Sequence, residues 1–230
     1  MYTKHMTRGI FVAGNDSALS RAIEAETIKR VEHFAAAYIP NRLSGAQAAP
    51  KNASAANNAR LLLDWNPGSP ISARALVLAA ENRLDKIDEA ILVCSPPSIR
   101  RRASELPLAD IEILINDHIK GWFFLIKEIA AVFSSRSRGT LALVYSDTNA
   151  GSGKDDSADL LGPSSLASFC ALSQGLLAAA HNEPYSSVGF VNYDAGNEEN
   201  FASFMFKCLD EGNRRSNGKL HRFGKFHFFK

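Results

Sequence analysis

Short, unbroken apolar runs alternate along this chain with longer amphipathic stretches. Gly9-Ile10-Phe11-Val12-Ala13-Gly14 is apolar throughout and closes on glycine, as a strand buried on both faces ends at its turn into a helix. That run predicts the first strand. The segment from Ala18 to about Arg30, rich in Ala, Glu, Ile and Arg with Asp16 or Ser17 as cap, predicts the helix after it. His33 to Ile39 ends at Pro40, which disfavours helix before it, and reads as a second strand. Ala59 to Asp64 reads as a third, followed by a Pro-Gly turn and a helix from about Ser69 to Arg83. Residues 44–58 are small and polar without apolar period, and read as a flexible loop.

Glu89 to Cys94 is the fourth strand. A long helix from about Leu108 to Ser134 follows, with Ile113, Leu114, Asp117, Ile119, Phe123, Phe124, Ile126 and Ile129 in a pattern that is apolar on more than one side. It is expected to pack against both the sheet and a partner subunit. Gly139 to Tyr145 gives the fifth strand, Ser164 to about His181 the next helix, and Ser187 to Tyr193 the sixth strand. A helix from Glu198 to Glu211 and a strand near Lys219 to Phe223 complete the pattern. Strands alternating with such helices imply right-handed crossovers and an α/β fold: a Rossmann-like, doubly wound parallel sheet of about seven strands in three layers. In such sheets ligands bind beyond the carboxyl ends of the strands, where strand order reverses.

Length and charge narrow the picture further. The 230 residues fit a single domain, and 46% hydrophobic against 22% charged residues is enough apolar material for one sizeable core. A net charge of +2 gives no broad field to draw in nucleic acid or an anionic membrane. No run approaches the roughly 20 apolar residues of a spanning helix, and the opening residues lack a signal peptide's apolar core, so a cytoplasmic location is expected. Cys94, Cys170 and Cys208 stand far apart with no CxxC pair, and read as free thiols rather than metal ligands.

The turn after the first strand, AGNDSALSRAI, resembles the TGxxxGxG turn of the short-chain dehydrogenase/reductase family, with Gly14 retained and Ala18 and Ser20 at the other two glycine positions. Side chains there crowd the places where backbone approaches pyrophosphate or packs on the strand. Asp64 resembles the family's aspartate beside the adenine. Asp88 to Val93 resembles the strand that leads into NNAG, here replaced by Cys94-Ser95-Pro96-Pro97. His118-Ile119-Lys120-Gly121 is similar to the NxxG segment, with His118 in place of Asn. Ser146 closes the fifth strand where the family carries its substrate-orienting serine. In Ser168 to Leu176, which resembles YxASKxxL, Phe169 stands for the Tyr and Ser173 for the Lys. Val188 to Gly196 resembles the sixth strand and PG loop, and Asn217 to Leu220 the entry to the seventh.

The resemblance spans nearly the whole chain in order. It implies cofactor contacts from Gly14, Ser17, Leu19, Arg42, Asp64 and Cys94, with NADP or NAD as possible cofactors and Arg42 suited to a 2′-phosphate. It also implies a homodimer or homotetramer through the family's fourth and fifth helices, here carrying Trp122, Phe123, Phe124, Phe169 and Leu176. Phe223, Phe226, Phe228 and Phe229 are expected to form an apolar strip covered in part by a partner. The Ser146 to Phe169 separation exceeds the family's, so residues 147–163 are read as a loop inserted at the crevice. Its GSGK string lacks the glycine and hydroxyl positions of a phosphate loop.

A phenyl ring donates no proton, and general acid-base assistance is worth about 10² to 10⁴ in rate. Loss of Tyr and Lys therefore implies a protein inactive by the usual hydride-transfer route, binding a nucleotide or other small ligand weakly or serving as an oligomeric scaffold. The alternative is an atypical NAD(P)(H)-dependent oxidoreductase on a carbonyl or alcohol, with Ser146 orienting the substrate and Lys154 or Tyr145 as displaced proton source.

Overall fold

The computed structural model describes residues 8–43, 59–96, 101–147, 159–211 and 213–224. All seven expected strands form: β1 (Ile10–Asn15), β2 (Phe34–Ile39), β3 (Arg60–Leu63), β4 (Glu89–Cys94), β5 (Thr140–Ser146), β6 (Ser186–Asn192) and β7 (Leu220–Phe223). They make one sheet in the order β3-β2-β1-β4-β5-β6-β7, and every pairing is parallel. Strand order reverses between β1 and β4, which fixes the crevice at their carboxyl ends.

The apolar runs are continuous because the central strands are covered on both faces. Alternate residues of β1 serve opposite layers. Phe11 and Ala13 pack with α2 (Pro70–Leu84), α4 (Gly121–Arg136) and α5 (Leu161–Ala179), the helices carrying Leu76, Trp122 and Phe169. Ile10 and Val12 pack with α1 (Ala18–Ile28) and α6 (Glu198–Asp210), through Leu19, Ile23, Phe201 and Met205. Hydroxyl caps start two of these helices: Ser17 Oγ accepts from the Ser20 N–H at 3.1 Å, and Ser69 Oγ from the Ser72 N–H at 3.2 Å.

The helix expected over Leu108 to Ser134 is divided. A short α3 (Leu108–Ile113) runs into widened π-helical turns over Leu114–Lys120, and only then into α4, which extends to Arg136. The N–H of Gly121 bonds to the Asn116 carbonyl, five residues back, as a π turn requires. Gly121 is needed there because its backbone lies on Pro67, in the turn after β3; an added Cβ would come within 2.6 Å of the proline Cβ. The widening places Asp117 and His118 on the buried side together.

Helix α5 begins at Leu161 rather than Ser164, so the segment read as an insertion over 147–163 ends by residue 160. Asp159 Oδ1 accepts the Gly162 N–H at 3.1 Å, and Pro163 is tolerated because a first turn leaves its N–H groups unused. A short α7 (Asn213–Ser216) precedes β7. The expected loop at 44–58, Lys154, and Phe226, Phe228 and Phe229 lie outside the described residues. Among the described residues, no helix is long and apolar enough to cross a membrane, and no group of three His, Cys, Asp or Glu is placed to hold a metal ion.

Candidate functional site

The turn that leaves β1 is built for contact with its neighbour strand. A Cβ on Gly14 would collide with the Val93 carbonyl oxygen of β4, so this glycine serves strand packing before any ligand. Ser20, at a family glycine position, is buried and donates its hydroxyl to the Asn15 carbonyl at 2.5 Å. Leu19 turns its side chain into the core, which leaves only backbone N–H groups of the first α1 turn, behind the Ser17 cap, to meet an anion. Sequence reasoning missed Asn15. Its Oδ1 accepts the Ser95 N–H at 2.9 Å and its Nδ2 stands 3.5 Å from His118 Nδ1, so one amide joins the loops on both sides of the switch point to the π-helical turn.

His118 is 2% exposed, and burial draws its ring down to about 4, so it is neutral at physiological pH. With Asn15 donating to Nδ1, the ring proton resides on Nε2.

The positions of the expected proton-transfer pair are closed. Phe169 is 1% exposed, with its ring 4.9 Å edge-on from Trp122 and 6.4 Å from Tyr145. Trp122 meets Trp65 edge-on in turn, ring centroids 5.9 Å apart. Ser173 is equally buried and donates its hydroxyl to the Phe169 carbonyl at 2.8 Å. Tyr145, one expected replacement donor, lies in the same core beside the Cys170 sulfur, and burial raises its phenol above the ordinary range. The Cys170 thiol is itself pushed up to about 11, chiefly by burial. Ser146 is half-buried, with its hydroxyl 3.4 Å from the Asn192 carbonyl, to which it donates. Cys94 is fully buried, its side chain packs in the core, and burial raises its thiol.

Trp122 and Phe169 face inward and so leave the expected subunit face, whereas Phe123 is 52% exposed and Phe124 and Leu176 are half-buried. Phe223 rests on Phe201 and Phe204.

Beyond the carboxyl ends of β2 and β3 lies a cavity of about 380 Å³, lined by Arg42, Asn66, Gly68, Ile113, Asn116 and Asp117 among others. Asp117, in the sequence only one position of the long helix pattern, is the residue that stands out at this cavity. Its side chain is 3% exposed, and one carboxylate oxygen accepts the Gly68 N–H. Its Oδ2 accepts no hydrogen bond, the Arg42 Nε standing 3.6 Å away. Burial raises this carboxyl, opposed by Arg42 and the Gly68 N–H. The second arm of Arg42 donates to Asn66 Oδ1 at 3.3 Å. Asp64, expected beside an adenine, is exposed and does not line this cavity. A larger cavity of about 780 Å³ lies at the amino ends of the strands, where Arg8 and Arg30 are both held by Asp210.

For a dinucleotide these residues fit one end and not the other. The cavity between Arg42 and Asp117 suits an adenosine, and the α1 turn offers N–H groups for phosphate, narrowed by Ala18 and Ser20. At the far end Phe169 and Ser173 supply no proton donor and are packed shut.

Sheet order, crossovers and crevice define a Rossmann-like α/β fold. Similar solved structures include a short chain dehydrogenase from Mycobacterium smegmatis (TM-score 0.73, 8% identity, covering 96% of this chain and 94% of that one). ElxO with NADP bound is similar at TM-score 0.69 and 13% identity over 94% of this chain and 97% of that one. An NADH-dependent reductase, A1-R', complexed with NAD, matches at 0.69 and 11% over 97% of both chains. No protein-family model and no curated protein sequence matches the chain.

Proposed function

We propose that this chain is a divergent short-chain dehydrogenase/reductase that takes a nicotinamide dinucleotide by its adenosine end and does not transfer hydride by the Tyr-Lys route. The observation that carries the reading is the closed pair Phe169 and Ser173. Both side chains are buried, one has no proton to give, and the other spends its hydroxyl on its own helix. Structures of the same fold hold NADP or NAD, which supports a dinucleotide as the ligand class. A ElxO variant with one tyrosine exchanged for phenylalanine, TM-score 0.69 and 13% identical, is described with NADPH bound, so a Tyr-to-Phe exchange in that protein is compatible with a held cofactor.

Bound cofactor would supply hydride chemistry where a donor completes the site; this chain's residues bind, orient and seal instead. Calorimetric titration of the purified protein with NADH and NADPH, read alongside Trp65 and Trp122 fluorescence, tests the reading. Binding without oxidation of NAD(P)H by any carbonyl substrate is expected. Oxidation that disappears in Ser146→Ala would establish the alternative, an atypical NAD(P)(H)-dependent oxidoreductase.

Assembly is a second part of the reading. Phe123 is exposed on α4, and the outer face of α5 carries Ala167, Ala171, Gly175 and Ala178, small side chains that allow another helix to approach closely. A Cβ on Gly175 would meet nothing within 4 Å. A second copy paired across these two helices would cover both.

A further inference from the structure

The net charge of +2 averages two unlike parts of the chain. Residues 212–230 carry six Lys and Arg and no Asp or Glu, so the 211 residues before them carry 20 Lys and Arg against 24 acids. We propose that this basic run, at the β7 edge of the sheet, is a docking surface for an anionic lipid bilayer. It lies three strands from β4 and acts whatever the crevice holds.

The fold turns the cations of the run outward. β7 is an edge strand, hydrogen-bonded to β6 alone. On one face of it His221 stacks on Phe190, ring centroids 5.3 Å apart, and Phe223 rests on Phe201 and Phe204. Lys219 and Arg222 are exposed, about 10 Å apart along the strand at about 3.3 Å per residue. Arg215, in α7, is exposed as well, and the Lys219 N–H donates to the Ser216 carbonyl at 3.1 Å, which keeps α7 against the start of the strand. Elsewhere the arginines are held by carboxylates, Arg8 and Arg30 by Asp210, Arg60 by Glu24 and Arg136 by Glu81. Among the described residues no carboxylate pairs with Arg215 or Lys219. A cluster of this size suits acidic headgroups, whose surface potential draws in four to eight neighbouring cations of this kind.

The composition of the run supplies an apolar part. Phe226, Phe228 and Phe229 stand among Lys225, His227 and Lys230. Phenyl rings beside ammonium groups match the boundary of a bilayer, where the rings leave water and the cations meet phosphate. A nucleic acid would ask this edge for a ring on which bases stack, and its described rings, His221 and Phe223, are spent on the core.

Sedimentation of the full chain with vesicles of phosphatidylcholine containing about 30% phosphatidylserine, and with phosphatidylcholine alone, tests the proposal. The wild type is expected to bind the anionic vesicles, to leave them as salt is raised, and not to bind the neutral ones. Replacing two exposed cations, Arg215→Gln with Lys219→Gln, should weaken binding roughly 30-fold, at about fivefold for each. Exchanging the rings, Phe226→Ser with Phe229→Ser, should weaken it at least about tenfold. No binding to either vesicle, or equal binding to both, overturns the proposal, as does anionic binding that neither pair of substitutions changes. A wild type that binds single-stranded RNA and not the anionic vesicles also overturns it and makes the run a nucleic-acid surface. So does an oligomer, seen by light scattering, that the ring exchanges break while no lipid is bound; the rings would then serve a second copy of the chain.

Discussion

The Ser173 hydroxyl donates to the carbonyl oxygen of Phe169, one turn back along α5, at 2.8 Å. The two positions at which the sequence resemblance would place a Tyr and a Lys are here bonded within their own helix. Phe169 belongs to a row of rings, Trp65, Trp122, Phe169 and Tyr145, that fills the space beside the fifth strand. The row lies between the sheet and the helices that flank it, which is why its residues are core before they are anything else.

Restoring the lysine alone should therefore be costly. Ser173→Lys places an ammonium at a position 1% exposed, and a loss of about 3 kcal/mol or more is expected in urea denaturation. An unchanged midpoint would show that position 173 opens to solvent after all.

Gly14→Ala separates strand packing from cofactor binding. The new methyl has the Val93 carbonyl as its neighbour, and backbone cannot step aside cheaply, so a loss of about 2 to 3 kcal/mol is expected with no ligand present. If thermal melting of the ligand-free protein is unaltered while dinucleotide affinity falls, the glycine serves the ligand instead.

His118 makes stability depend on acid. Its ring titrates near 6.5 in an unfolded chain and at about 4 when folded, so between those values the unfolded chain binds the extra proton. The contribution is fully present above about 6.5 and is lost as pH falls towards 4. His118→Gln removes the titration. Comparing the two proteins by urea unfolding from neutral pH down to that range should show the wild type losing up to about 3 kcal/mol more than the variant. Parallel curves would mean that the imidazole is not held neutral.

Phe123 is the residue with which to question assembly. Light scattering of the wild type is expected to give a dimer or tetramer, and Phe123→Glu, which alters an exposed ring without touching the core, a smaller species. A monomeric wild type ends the proposal.

The sheet was legible because each central strand is buried on both sides, and residues such as Ile10 to Ala13 and Ala90 to Val93 leave no polar position to confuse the pattern. Strand limits moved by a residue or so. The division of the helix at Leu114 was not legible: a π turn adds a residue to one turn without changing composition, and its trace in sequence was only that the apolar positions covered more than one side. The cavity was half legible. Arg42 was named from its place after β2, but its role depends on Asp117 and Asn66, which reach it only through the fold. Asp64 read well by position and stands outside, because the turn after β3 sends Asn66 and Gly68, and not Asp64, to the wall. Tyr145 and Cys94 show what sequence position leaves open: a residue at a strand's carboxyl end can face the helical layer as readily as the crevice, and here both side chains pack in the core.

The aromatic row also constrains descent. A lineage that began from this sequence and came to use a Tyr-Lys pair would have to place a phenol where Phe169 is packed edge-on to Trp122, and an amine where Ser173 closes its helix. Each change taken singly is disfavoured before the other can repay it in rate, and neither helps until space is also cleared around the rings. A phenol and an amine at these two positions would therefore need several coordinated substitutions around the rings, not two independent ones.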